Sequence, residues 1–219
     1  MTRRHLVVID PGTRVPELDC FNRLSRNSPL PASYHLPAQQ GVASLHRTPD
    51  EGLAGIVMFG SGASVHDNLD WQQAMDDWLL PRIERGVPFL GLCYGHQHIA
   101  HRLGGEVGFV REDHEKIRGL RPTRLVADRL WGEAVDGAMV VSHREVVTAL
   151  PSGFAVLGQR DDCPVDALGH PTRPIWGFQP HPEATMAFVE NNGIAYDGVP
   201  RDLDFGNSLV DAFTRFCAQ

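Results

Sequence analysis

The chain has 219 residues, 42% hydrophobic and 21% charged, with a net charge of −7. This suits one substantial α/β domain with a buried core, and it excludes a disordered chain. An acidic balance without any Lys/Arg run gives no nucleic-acid surface. The only lysine, Lys116, follows Glu115, so no GxxxxGK[ST] phosphate loop exists.

At the N-terminus, Met1-Thr2-Arg3-Arg4-His5 leads into Leu6-Val7-Val8-Ile9. Asp10-Pro11 ends this run after four apolar residues, too few for a signal core or a membrane span. The expectation is a cytoplasmic protein with no membrane contact. His5–Asp10 reads as the first strand, whereas residues 11–52, rich in Pro, Ser and Arg, give no readable pattern. Leu53–Phe59 is the next strand. Asp67 then caps a helix carrying Trp71, Met75, Trp78 and Leu79 on one face, with Pro81 expected to break or restart it and Gly86 to end it. Pro88–Leu92 is a strand, Gly95 to Leu103 a helix stopped by Gly104-Gly105, and Glu106–Val110 a strand.

Segment 111–150 is less regular and holds small antiparallel strands, among them Ala138–Ser142. Phe154–Gly158 and Ile175–Gln179 follow as strands. Near the end, Leu209, Phe213 and Phe216 form an apolar stripe behind a cap at Asn207 or Ser208. Several strands are apolar without alternation, as when both faces are covered, and their alternation with helices implies βαβ units and a mainly parallel sheet. No repeat or linker divides the chain, so residues 1–219 read as a single domain. Such sheets place ligands at the carboxyl ends of their strands.

Two strand ends carry reactive groups. Pro88-Phe89-Leu90-Gly91-Leu92-Cys93-Tyr94-Gly95-His96-Gln97 runs from a buried strand directly into a helix, with Cys93 at the junction between Gly91 and Gly95. Glycines there permit a sharp turn of the nucleophile-elbow kind. The helix dipole favours a thiolate at that place, and the Tyr94 N–H, one residue on, is positioned for an oxyanion. A free cysteine in a core is usually structural, so the reading needs a partner base. The second strand, Ile175-Trp176-Gly177-Phe178-Gln179, ends in Pro180-His181-Pro182-Glu183. The flanking prolines fix the His181 backbone, and Glu183 is close enough to hold the imidazole nitrogen turned away from the thiol. Cysteine and histidine together are far more specific than either alone. Cys20, Cys163 and Cys217 lie apart, with no CxxC pair, and suggest neither a disulfide framework nor a redox motif.

Gly91-Leu92-Cys93-Tyr94-Gly95-His96-Gln97 with His181-Pro182-Glu183 resembles the class I (triad-type) glutamine amidotransferase family, and looks most like the glutaminase domain of GMP synthase in stand-alone form. Gly55 to Val65 resembles the family's oxyanion strand and loop, and Val141-Ser142-His143-Arg144-Glu145-Val146-Val147 its SHxxxV substrate segment. The matched elements span roughly residues 53–187. The resemblance implies a flavodoxin-like three-layer α/β sandwich, with a mainly parallel central sheet, helices on both faces and a small antiparallel addition. It implies Cys93, His181 and Glu183 as catalytic residues, and Gly60, Ser61 and Tyr94 as sources of oxyanion-hole N–H groups. Gln97, Ser142, His143, Arg144, Glu145 and Val146 would bind substrate.

The implied reaction is hydrolysis of the glutamine γ-amide through a cysteinyl thioester, without cofactor or metal. The ammonia would pass to a separate synthase, since the chain lacks an SGGxDS-type ATP pyrophosphatase loop. The alternatives are a γ-glutamyl peptidase or hydrolase, and an inactive regulatory subunit. The chain departs from the family at Gly60-Ser61-Gly62, where relatives commonly carry Gly-Gly-Pro, and at Pro180, where an aromatic residue is common. His96, His98 and His101 share one helix, but only His98 and His101 share a face, which argues for packing or surface roles rather than a metal site. Gly60-Ser61-Gly62 is an incomplete dinucleotide fingerprint, and no G-x-S-x-G motif supports a serine hydrolase.

Overall fold

A computed structural model of the protein describes residues 3–196 and 198–219; Met1 and Thr2, which open the charged N-terminal run, lie outside them. The first half runs β1 (His5–Ile9), α1 (Leu18–Asn27), β2 (Ala32–His35), α2 (Pro37–Gln40), α3 (Ala43–His46), β3 (Leu53–Met58), α4 (Asp70–Glu84), β4 (Phe89–Leu92) and α5 (Tyr94–Arg102). Six strands follow: β5 (Glu106–Phe109), β6 (Ile117–Leu125), β7 (Val135–His143), β8 (Glu145–Ala149), β9 (Ala155–Arg160) and β10 (Cys163–Gly169). The chain closes with β11 (Ile175–Phe178), α6 (Met186–Asn191) and α7 (Asp204–Ala218).

Nine strands form one sheet in the order β2-β1-β3-β4-β11-β10-β9-β6-β7, and β5 pairs with β8 apart from it. Pairing is parallel from β2 through β1, β3 and β4 to β11, the order of a flavodoxin-like sheet. Beyond β11 the pairing turns antiparallel. Side-chain alternation along the parallel strands builds two apolar layers. Leu6, Val8, Val57, Leu90 and Leu92 pack under α1, α6 and α7 with Leu24, Phe188 and Phe213. Val7, Ile9, Ile56, Met58 and Phe89 pack under α4 and α5 with Met75, Trp78, Leu79 and Ile99. Both faces are covered, which explains why these strands read as unbroken apolar runs.

Several local expectations are corrected. The α4 N-cap is Leu69; the Asp67 carboxylate instead accepts the Ser64 N–H at 2.8 Å. Gln72 closes the α4 start through its Oε1, which accepts the Leu69 N–H at 2.7 Å. Pro81 lies inside an unbroken α4. It is exposed, as is Asp77, so the Asp77 carbonyl that loses its helical donor there lies on the solvent side of the helix. At the C-terminus α7 begins at Asp204, before the expected caps; Asn207 lies within it, donating to Leu203 O at 2.7 Å and Ala184 O at 3.2 Å. Of the two roles expected for the helix histidines, His96 and His98 take the packing one, both fully buried. The three helix histidines diverge: His96 packs on Gly177, His98 bonds Asp76 at 2.6 Å, and His101 stacks edge-on against His66. No described helix is long and apolar enough to cross a membrane.

Candidate active site

Strand β4 ends at Leu92, and Cys93 turns the chain into α5 with φ +50° and ψ −100°, a conformation non-glycine residues rarely hold. The flanking glycines make the turn possible. A Cβ on Gly91 would sit 2.4 Å from the Gly95 carbonyl group, and one on Gly95 would sit 2.4 Å from Met58 O. The elbow is anchored by the Cys93 N–H, which donates to Phe178 O at 2.8 Å. As first residue of α5, Tyr94 has an N–H with no acceptor in the helix.

His181 follows β11 and is tied to β7, its N–H donating to Val140 O at 2.8 Å. Its Nδ1–H donates to Glu183 Oε1 at 2.9 Å, and both side chains are buried. The Cys93 thiol is close enough to the ring to act on its charge. Burial alone pushes this imidazole down, but the Cys93 and Glu183 charges and the hydrogen bond to Glu183 outweigh it, holding His181 up to about 10. The three side chains form a continuous thiol–imidazole–carboxylate line.

Gly60 lies against this pair; a Cβ there would be 2.8 Å from His181 Cε1 and 3.6 Å from Cys93 Cβ. Phe59 donates to Ile9 O at 2.9 Å as the chain leaves the sheet. Ser61 then pins the turn, its Oγ donating to Pro11 O at 2.7 Å and accepting the Ala63 N–H at 3.1 Å. The Ser61 hydroxyl is thus committed to the loop, while Gly60, Ser61 and Gly62 all line the cavity over Cys93.

That cavity, of about 490 Å³, is lined in part by Cys93, His181, Ser142 and Arg144. The other residues expected to bind substrate are placed differently. Gln97 is buried and lies outside the lining; its amide donates to Glu145 O at 2.6 Å and Gln179 Oε1 at 3.2 Å. His143 turns away to Arg160, Nη2 to Nε2 3.3 Å, and is pushed down to about 3 by burial and then by that guanidinium. Glu145 and Val146 are buried, and Val146 pairs with Gly108 of β5.

Other residues of the site carried no motif. Gln179 is fully buried, with its amide nitrogen 3.8 Å from Cys93 Sγ. The loop after β1 brings Gly12, Thr13, Arg14, Val15 and Glu17 to the cavity. It is held by Asp10, fully buried, whose carboxylate accepts the Gly12 and Glu17 N–H groups at 2.8 and 2.7 Å and the Tyr34 hydroxyl. Glu17 accepts from Asn192 at 2.9 Å; burial raises its carboxyl to about 7 against that bond and the His181 charge. The Asp10-Pro11-Gly12 turn behind an apolar strand was the one available signal for this loop.

A thiol, an imidazole and a carboxylate are thus gathered at neighbouring strand ends of an open α/β sheet. Residues 37–194 match the profile described as glutamine amidotransferase class-I, so the chain belongs to that family. It is 33% identical over 195 residues to a GMP synthase [glutamine-hydrolyzing] of Azoarcus sp. (strain BH72), covering 84% of this chain and 35% of that protein. A GMP synthase [glutamine-hydrolyzing] of Leifsonia xyli subsp. xyli is 33% identical over 178 residues, covering 76% and 34%. The chain thus spans about a third of the length of these relatives. Among solved structures, a glutamine amidotransferase from Thermotoga maritima superposes with a TM-score of 0.75 at 14% identity, covering 100% of both chains. One from Methylobacillus flagellatus gives 0.73 at 16%, covering 98% and 94%. They share the fold.

Proposed function

We propose that the chain cleaves the γ-amide of glutamine. Cys93, as the thiolate whose proton His181 already holds, attacks the γ-carbonyl carbon; His181 delivers that proton to the departing nitrogen, and ammonia leaves. Water, deprotonated by His181, then hydrolyses the γ-glutamyl thioester to glutamate and frees the thiol. Glu183 fixes the imidazole tautomer and stabilises the imidazolium. The oxyanion is held by the N–H of Tyr94 and by that of Gly60 or Ser61, each donor lowering the barrier by on the order of 2.7–4 kcal/mol. Ser142 and Arg144 contact the amino-acid end, while Gln97 supports them from behind by holding the Glu145 carbonyl.

The ammonia passes to a synthase, a reading supported by the names of the GMP synthase relatives, which pair glutamine hydrolysis with a synthesis. Residues 1–219 act as one domain in the cytoplasm, and the steps use protein groups and water. The observation that carries the reading is the buried line from Cys93 through His181 to Glu183, closed by the 2.9 Å bond. Glutamate and ammonia release from glutamine by the purified protein tests it. Cys93→Ala is expected to abolish release; a variant that keeps it removes the mechanism.

A further inference from the structure

The chain is acidic overall, at −7, yet its cavity is not. Arg14, Lys116, Arg118 and Arg144 all line it, against the single carboxylate Glu17. Elsewhere several arginines are matched to acids, Arg23 with Asp211, Arg82 and Arg85 with Asp50, Arg102 with Asp76, and Arg160 with Asp166, while Arg129 and Arg173 donate to backbone carbonyls. Among the described residues, none of the four cavity cations has a carboxylate within 4.0 Å; the ion pairs present use other side chains. Unneutralised cations crowded at one opening repel one another, and an anionic ligand relieves that repulsion.

The cations stand on two sides of Cys93. Arg14, with Glu17, belongs to the loop after β1, on one side of β4 in the sheet order. The others come from the far edge. The antiparallel strands curl back until β7 meets His181 through Val140. In the β6–β7 register Arg118 lies opposite Ser142 and Ile117 opposite His143, which brings Lys116 and Arg144 to the same end. A cavity of about 490 Å³ is in the range that encloses ligands larger than one amino acid.

We propose that the site accepts γ-glutamyl amides whose amine half itself carries a carboxylate, such as γ-glutamyl amino acids. Such a molecule has an ammonium and a carboxylate at its amino-acid end and a second carboxylate beyond the scissile amide. Spanning the thiol, it meets cations on both sides and one acid. This rests on the reading of Cys93 as nucleophile toward a γ-glutamyl carbonyl and widens the substrate class. The bonds made and broken are those given above, with a free amino acid leaving in place of ammonia. It takes its proton from His181, and water regenerates the thiol.

The test compares kcat/KM of the full chain for γ-Glu-Gly, for its neutral counterpart γ-Glu-glycinamide, and for glutamine. Labelling of Cys93 by the glutamine analogue 6-diazo-5-oxonorleucine, read by mass spectrometry, checks the underlying reading separately. The expected result is a preference of about tenfold or more for γ-Glu-Gly over the glycinamide, the size of one hydrogen-bonded charge contact. That preference shrinks with added NaCl. It also collapses in Arg14→Gln or in the Lys116→Gln/Arg118→Gln pair, whichever side seats the amine half. No preference, a preference untouched by both variants, or turnover of glutamine alone in a protein that labels at Cys93, overturns the proposal. Absence of labelling and of all turnover instead overturns the reading beneath it.

Discussion

Gly60→Ala is the sharpest probe of the proposed site, because a single methyl acts on the Cys93–His181 pair and on little else. No positive φ is involved, so the alanine backbone is unstrained and only the new Cβ matters. That Cβ would stand 2.8 Å from His181 Cε1, whereas carbon atoms rest at about 3.5 Å or more, so the ring must retreat by roughly 0.7 Å. It cannot do so freely. Its Nδ1 is held by Glu183 at 2.9 Å, its backbone by Val140, and its face lies 4.6 Å from the Phe188 ring centre. The retreat therefore opens the contact with Cys93. A misplacement of about 1 Å costs on the order of 10²-fold in rate, so a drop in kcat of roughly ten- to hundredfold is expected, about 1.4–2.7 kcal/mol of barrier. The assay is steady-state glutamate release, with circular dichroism to show that the variant stays folded. A folded Gly60→Ala protein with kcat within about twofold of the parent would refute the placement of Gly60 against a working His181.

Cys93→Ala removes one of the charges that hold His181 up, so its titration, followed by imidazole NMR, should fall below the parent value of about 10. The sign follows from linkage. A raised histidine stabilises the fold fully below its unfolded pKa, near 6.5, and loses that contribution as pH climbs toward 10. The parent's stability advantage over Cys93→Ala should therefore shrink across that window in denaturant titrations at stepped pH; an advantage growing across it would contradict a His181 held up by Cys93. Glu183→Gln keeps the shape but not the charge, and should lower kcat by about 10²–10⁴-fold while leaving Cys93 open to alkylation. Full activity would deny Glu183 its orienting role. Asp10→Ala leaves the Gly12 and Glu17 N–H groups unmatched and should cost about 1–3 kcal/mol in urea unfolding. It should also raise KM as the loop bearing Arg14 and Glu17 loosens; an unchanged KM would separate that loop from substrate binding.

The reactive groups were legible because each sits in a run of neighbours that alone dictates its geometry. Gly91 to Gly95 admits one kind of turn, and Pro180-His181-Pro182 fixes one backbone. The two-sided core was legible for a similar reason, since buried strands leave unbroken apolar runs. Elements missed in the sequence lack such signals. β2, α2 and α3 have four residues each, too few to show a period. β6 carries Gly119 and Pro122, which argue against a strand, but it meets β9 only at Leu125, so along most of its length one side makes no ladder bonds and proline is tolerated. Asp67 looked like a cap because capping depends on which residue the chain turns at, and Gln72 supplies the bond from inside α4 instead.

The cations around the cavity belong to the illegible part, and the reason bears on function. Arg14, Lys116, Arg118 and Arg144 share no local pattern and converge only because the antiparallel strands bend β7 back onto the end of β11. The cysteine and histidine ride on parallel strands whose neighbours determine them; the charges ride on the curled edge and on a loop held by one buried carboxylate. Family membership therefore goes with the motif around Cys93, while the register of β6 against β7 and the Asp10 loop set where the cavity charges stand.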